Sequence, residues 1–407
     1  MDLPACRALD AEDPLAAFRS RFELPRGVTY LDGNSLGALP GETRRRVEQV
    51  LAGEWGQGLI RSWNQAGWID APTRVGEKIG RLIGARAGEV VVADSTSVNL
   101  FKLIGAALQA RPGRRVVLSE AENFPTDLYI AEGVTRMLGA ELRLLPRERL
   151  LTGLDADVCV LALTQVDFRS GRLLDMAALT SAAHSAGALA LWDLSHSAGA
   201  LPVDLTAAGA DLAVGCGYKF LNGGPGAPAY LHVSTALQEE LHSPIQGWLG
   251  HRAPFDFSGE YLPTAGVERF LAGTPPILSL AALEVAVDLW LEVDLAEVRA
   301  KSMSLGELFI AMVEERPELG LVLRSPRAAA ARGSQLSFAH PEAYGLMQAL
   351  IERGVIGDFR PPDSLRFGLT PLYTRFEDIF HAVETMVEVV AGGGHLDPRW
   401  AVRALVP

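Results

Sequence analysis

Between Glu89 and Val233 the chain repeats one pattern: a short apolar run, a polar loop, then a stretch with apolar residues three and four apart. The runs are Glu89–Ala93, Arg115–Ser119, Glu141–Leu145, Val158–Leu163, Ala188–Trp192, Leu212–Cys216 and Ala229–Val233. Amphipathic helices over Thr126–Leu138 and Asp175–Ala186 separate several of them. Strands buried on both faces read as unbroken apolar runs, and helical connections between them make parallel neighbours. The pattern predicts an α/β fold whose large domain carries a mainly parallel seven-stranded sheet. Sheets of this kind take ligands beyond the carboxyl ends of their strands.

The flanks differ from this middle. A turn-rich loop, Tyr30-Leu31-Asp32-Gly33-Asn34-Ser35-Leu36-Gly37, precedes a helix predicted over Gly41–Gly53. After Gly273-Thr274-Pro275-Pro276 the apolar spacing predicts one long helix from Ile277 to about Val313. Beyond Leu321, strand-like runs (Gln335–Ala339, Ser364–Leu369) alternate with helices at Glu342–Arg353 and Phe376–Val390, the mark of a smaller C-terminal α+β domain. The division expected is an N-terminal arm and helix over 1–60, a large domain over 61–290 and a small domain over 291–407, completed by part of the N-terminal segment.

With 407 residues, 48% of them hydrophobic, the chain has ample core for two domains. A net charge of −12 with no basic tract argues against a nucleic-acid or anionic-membrane partner. Cys6, Cys159 and Cys216 form neither a metal pattern nor a disulfide framework, and the eight histidines show no HxxxH-like pair, so no metal is expected. The stretch from Met1 to Asp13 lacks the order of a signal peptide, and no apolar run approaches the about 18 residues of a membrane span. A cytoplasmic enzyme is the expectation.

Two loop ends carry the chemistry. Lys219 stands in Gly217-Tyr218-Lys219-Phe220-Leu221-Asn222-Gly223-Gly224-Pro225-Gly226, and Asp193 ends the run Leu191-Trp192-Asp193. A lysine amine that condenses with an aldehyde, and a carboxylate that keeps a pyridinium nitrogen protonated, are what pyridoxal 5'-phosphate (PLP) requires. Asp94-Ser95-Thr96-Ser97-Val98 follows a strand and opens a helix, so Thr96 and Ser97 offer a phosphate cradle; a plain helix cap explains them equally well. Phe124 can stack on a planar ring with Thr126 and Asp127 at its edge, or simply begin a Pro-started helix. Thr164 closes the neighbouring strand and His196 follows Asp193 closely. Tyr218 is a candidate acid/base or phosphate ligand. Arg366, in the strand-like Leu365-Arg366-Phe367-Gly368-Leu369, is suited to gripping a substrate carboxylate through two parallel bonds.

Together these stretches resemble kynureninase, a fold-type-I PLP enzyme. The likeness runs through Leu31-Asp32-Gly33-Asn34-Ser35-Leu36-Gly37, Phe124-Pro125-Thr126-Asp127, Trp192-Asp193-Leu194-Ser195-His196 and Tyr218-Lys219-Phe220-Leu221-Asn222. It continues through Gln246-Gly247-Trp248-Leu249-Gly250-His251 and Gly273-Thr274-Pro275-Pro276 to Arg366-Phe367-Gly368-Leu369-Thr370-Pro371-Leu372-Tyr373. The resemblance implies that Lys219 attaches the cofactor, Asp193 pairs with its pyridinium and Phe124 stacks on its ring, with Asp127, Thr164 and His196 around it. Thr96, Ser97 and Tyr218 would hold the phosphate, and Arg366 the substrate α-carboxylate. Trp248 and Thr274 would reach the cofactor from the partner subunit of a homodimer with shared sites. The implied reaction splits L-kynurenine with water into anthranilate and L-alanine, Tyr218 being the candidate proton donor for its second half. Animal enzymes of the family, which favour 3-hydroxykynurenine, carry His and Asn where this chain has Trp63 and Thr274. That departure resembles the bacterial type and implies a substrate pocket, Trp63 included, suited to unsubstituted kynurenine.

Rival readings on the same fold are a desulfurase and an aminotransferase. Desulfurases of this kind tend to carry His-Lys and a late catalytic cysteine, whereas here the pair is Tyr218-Lys219 and no cysteine follows Cys216. Transamination begins with the same proton shuttle and stays open. A non-catalytic regulatory protein on this fold would not need Lys219, Asp193 and Arg366 together.

Overall fold

The computed structural model describes residues 1–403. Its largest sheet contains β1 (Val90–Val92), β2 (Val116–Glu120), β3 (Glu141–Leu145), β4 (Val158–Thr164), β5 (Leu189–Asp193), β6 (Leu212–Gly215) and β7 (Tyr230–Val233). Their spatial order is β1-β7-β6-β5-β4-β2-β3. Neighbours from β6 to β3 run parallel, while β7 is antiparallel to both β1 and β6.

Alternate side chains of the inner strands enter two separate cores, which is why those runs are largely apolar; β3, expected to be buried, is an edge strand with Glu141 and Leu144 exposed. Val91, Val117, Val160, Leu191, Val214 and Leu231 meet helix α1 (Thr96–Ala110) through its Leu100, Leu103 and Ile104. Val90, Val92, Leu118, Leu161, Leu163 and Trp192 face the opposite core. Each fully buried Leu or Val adds about 1.5–3 kcal/mol of burial energy, so a polar residue on either face is costly.

Two helical expectations need correction. The region predicted as one helix from Ile277 to about Val313 is two, Ile277–Trp290 and Leu295–Glu314. Asp294 caps the second, its side chain accepting the Ala296 N–H at 2.8 Å, and the chain changes direction between them. The helix expected over Gly41–Gly53 is α-helical only to Gln49, then widens into a π-helix over Val50–Gly58.

The C-terminal part builds an antiparallel sheet from β8 (Val322–Leu323), β9 (Gln335–Ala339), β10 (Asp358–Arg360) and β11 (Ser364–Gly368), in the order β8-β9-β11-β10. Cys6 and Leu31 join its apolar core, and Thr29–Tyr30 pairs in parallel with Val355–Ile356. The loop after Leu31 therefore crosses from this sheet to the Lys219 loop. There Gly37 donates to the Tyr218 carbonyl at 2.8 Å. A Cβ on Gly37 would lie 2.3 Å from the Lys219 carbonyl oxygen, so this close approach requires glycine.

Candidate active site

Asp193 is the last residue of β5, and Thr164 stands beside it in register at the end of β4. One Asp193 carboxylate oxygen accepts the Ser195 N–H at 2.8 Å, which fixes the side chain at the strand's carboxyl end. Lys219 lies on the loop after β6. Asn222, at φ +59, turns that loop back: its N–H donates to the Lys219 carbonyl at 2.9 Å and its side-chain amide donates to the Ala38 carbonyl at 3.0 Å.

These loops enclose a cavity of about 280 Å³. Thr96, Ser97, Phe124, Asp127, Thr164, Asp193, His196, Tyr218 and Lys219 all line it, joined by Ser95, Thr126, Ser195, Cys216 and Phe168. Depressions of about 730 and 750 Å³ lie elsewhere, but neither includes Lys219 or Asp193, so chemistry rather than volume locates the site. The Lys219 Nζ lies 3.0 Å from His196 Nε2 and 5.9 Å from the centre of the Phe124 ring. Phe168 meets Phe124 edge-on at 5.1 Å.

The electrostatics of the cavity are uneven. Burial, reinforced by the Lys219 charge, holds His196 well below the usual histidine range, so its ring is neutral. Burial raises Asp127 well above the usual carboxylate range, and the neighbouring Asp193 raises it further. Thr164 Oγ1 donates to the Asn123 side-chain oxygen at 2.6 Å. Burial also raises Tyr218, keeping its phenol protonated as a donor.

A helix N-terminus also lines the cavity. Ser95 caps α1, its hydroxyl accepting the Val98 N–H at 3.3 Å, and Thr96 and Ser97 form the first turn with N–H groups that have no helical acceptor. Such a turn attracts an anion. A lysine, a buried carboxylate, an aromatic face and an anion cradle around one small cavity fit a phosphorylated pyridine aldehyde.

Arg366 stands just outside this cavity on β11 and is 2% exposed. Its guanidinium forks onto Asp358, with Nε donating at 2.7 Å, and its Nη1 donates to the Phe168 carbonyl. Trp63, Trp248 and Thr274 do not line the cavity of their own chain. Trp63 packs edge-on against Trp68 at 6.0 Å, Trp248 lies against Phe255 at 5.7 Å, and Thr274 is exposed. Sequence reasoning passed over Phe168 and Asp358. Phe168 had a usable signal, since it sits just beyond a strand's carboxyl end, whereas Asp358 had none short of the strand register.

A lysine-bearing loop over a buried aspartate, at the carboxyl edge of this sheet and beside a small antiparallel domain, is the fold-type-I PLP architecture. Solved structures agree on the fold: a cysteine desulfurase of Escherichia coli superposes with a TM-score of 0.77 at 21% identity, covering 93% of this chain and 98% of its own. A cysteine desulfurase of Thermococcus onnurineus gives 0.79 at 19% identity, covering 92% and 98%. Residues 298–386 match the kynureninase C-terminal domain model. Kynureninase of Pseudomonas fluorescens is 52% identical over 395 residues, 95% of this chain and 94% of that one. Kynureninase of Burkholderia pseudomallei is 51% identical over 408 residues, 98% of each chain. The chain belongs to the kynureninase family.

Proposed function

We infer that this enzyme is a PLP-dependent hydrolase that cleaves the Cβ–Cγ bond of L-kynurenine, giving anthranilate and L-alanine. Family membership at about half identity over nearly the whole chain carries the reading of the reaction. The convergence of Lys219, Asp193, Phe124 and the Ser95–Ser97 turn on one cavity supports the cofactor.

When bound, PLP would supply an aldehyde for the substrate amine and an electron sink for charge developing at the substrate's α and β carbons. Lys219 would hold the cofactor, and its amine is placed to move the proton at the substrate α carbon. Neutral His196, 3.0 Å from Nζ, orients that amine without adding a competing charge. Asp193 would face the pyridine nitrogen, with Asp127, whose carboxyl pKa is raised by burial and by Asp193, beside it. Thr96, Ser97 and Tyr218 hold the phosphate. Arg366 takes the substrate α-carboxylate, orienting the side-chain ketone toward the attacking water, and the Tyr218 phenol delivers the proton that alanine needs at its β carbon.

The protein is a cytoplasmic homodimer in tryptophan catabolism, in which Trp248 and Thr274 complete the partner's site. Their position away from their own chain's cavity supports the sharing, and Trp55, Leu59 and Ile60 supply exposed apolar surface for the contact. Trp63 and Thr274 favour unsubstituted kynurenine over the 3-hydroxy compound. No helix among the described residues is long and apolar enough to cross a membrane. Specificity constants for the two substrates test the whole reading: kynurenine should win, a win for the hydroxylated compound overturns the preference, and turnover of neither overturns the reaction. Mixing Lys219→Ala with Trp248→Ala chains should restore activity if sites are shared, and leave it absent if each chain acts alone.

A further inference from the structure

Behind the helix that opens at Ser95 the chain buries an ammonium that the reaction does not use. Lys102 is 0% exposed. Its Nζ donates to the Asp94 carboxylate and, at 2.6 Å, to the carbonyl of Phe270. Its neighbours on the same helix, Leu100, Leu103 and Ile104, are ordinary core residues, and a methionine would fill the Lys102 position with apolar atoms. Burying an ammonium costs several kcal/mol unless good partners surround it. Burial indeed pushes the Lys102 amine down, with Asp94 opposing that shift.

What the ion pair holds explains the cost. Asp94 sits at φ +47, a left-handed conformation that residues other than glycine rarely adopt, between the end of β1 and the Ser95 cap. That turn sets the direction of the Thr96 and Ser97 N–H groups. Side chains on a helix lean toward its N-terminus, so the long Lys102 stem reaches back beneath the turn. The second acceptor lies on a different segment: Phe270 ends the short helix Val267–Phe270, four residues before Thr274.

We propose that Lys102 is a positioning residue of the phosphate cradle. It pins Asp94 and thereby the Ser95–Ser97 turn, it offsets the Asp94 carboxylate next to a bound phosphate dianion, and it ties the cradle to the segment that carries Thr274. The proposal rests on the reading that the cofactor phosphate lies on this turn.

The test compares PLP with pyridoxal, which lacks the phosphate, in equilibrium titrations of cofactor-stripped full-length protein followed by absorbance. Lys102→Met and Lys102→Gln should weaken PLP about tenfold or more, the scale of a partly buried charge at a helix terminus, while pyridoxal affinity stays the same. Equal weakening of both ligands, or no change in either, overturns the proposal. If the methionine variant does not fold, the glutamine variant, which keeps a donor, carries the test; failure of both makes Lys102 a stability residue and also overturns it. Thr96→Ala/Ser97→Ala is the separate control. If it leaves the PLP-to-pyridoxal ratio unchanged, the placement of the phosphate falls, whatever Lys102 does.

Discussion

Replacing Asp358 by Asn should expose how the buried Arg366 guanidinium is held. Arg366 and Asp358 face each other in register on adjacent strands, each 2% exposed. The carboxylate accepts two guanidinium bonds from Arg366, one of them 2.7 Å long, and a Ser35 hydroxyl at 2.6 Å; it also lies 3.0 Å from an Arg360 nitrogen. Burial works against this carboxylate, but the Arg366 bonds and charge outweigh it and hold its pKa below the ordinary range. Removing one partner of a buried pair costs about 3–5 kcal/mol, because the other charge is left uncompensated. The amide keeps one acceptor for Nε, so a loss near about 3 kcal/mol is expected, at the lower end of that range. Urea unfolding of the cofactor-loaded protein, followed by tryptophan fluorescence, measures it. In a cycle with Arg366→Met the double variant should lose far less than the sum of the singles, with a coupling of about 2 kcal/mol or more. Additive losses, or a loss below the about 1 kcal/mol typical of exposed pairs, would refute the reasoning.

Three further outcomes follow from the same site. Asp127→Asn should cost less activity than Asp193→Asn, because burial and Asp193 both raise the Asp127 carboxyl pKa and so disfavour its charge; Asp193→Asn should cost about two orders of magnitude or more in kcat, and equal losses would contradict the assignment. Asp32 is pushed from 3.8 up to about 7, foremost by burial and then by the Asp358 charge. The unfolded chain therefore ionises first, so wild-type protein should lose stability relative to Asp32→Asn as pH rises from about 4 to about 7, with a constant gap above; a gap that stays flat through that window contradicts it. Gly37→Ala should displace the Lys219 backbone and lower bound PLP, seen as lost cofactor absorbance per chain, whereas full occupancy would show that the loop yields.

The large domain is legible in the sequence because its inner strands are buried on both faces, which leaves apolar runs; the edge strand Glu141–Leu145, expected to be buried, is exposed or half-buried along its length. Strand direction is not legible: Tyr230–Val233 reads like its neighbours, yet it runs antiparallel. The break before Asp294 is hidden because Val293 and Leu295 continue the apolar spacing on either side of it. Lys219 and Asp193 stand out because one follows and the other ends a strand-like run, each beside distinctive neighbours. The support for Arg366 does not stand out, since Asp358 and the Phe168 carbonyl reach it only through strand register and a loop 198 residues away. Trp63, Trp248 and Thr274 carry no signal in periodicity at all; only resemblance singles them out.

The fate of solvent oxygen tests hydrolysis of a carbon–carbon bond at the Lys219 site most directly. L-Kynurenine turned over in ¹⁸O-enriched water should give anthranilate and alanine in equal amounts, with solvent oxygen in the anthranilate carboxylate and neither product formed by Lys219→Ala. A keto acid accumulating with an aminated cofactor, and no anthranilate, would contradict the account and make the enzyme a transaminase on the same fold.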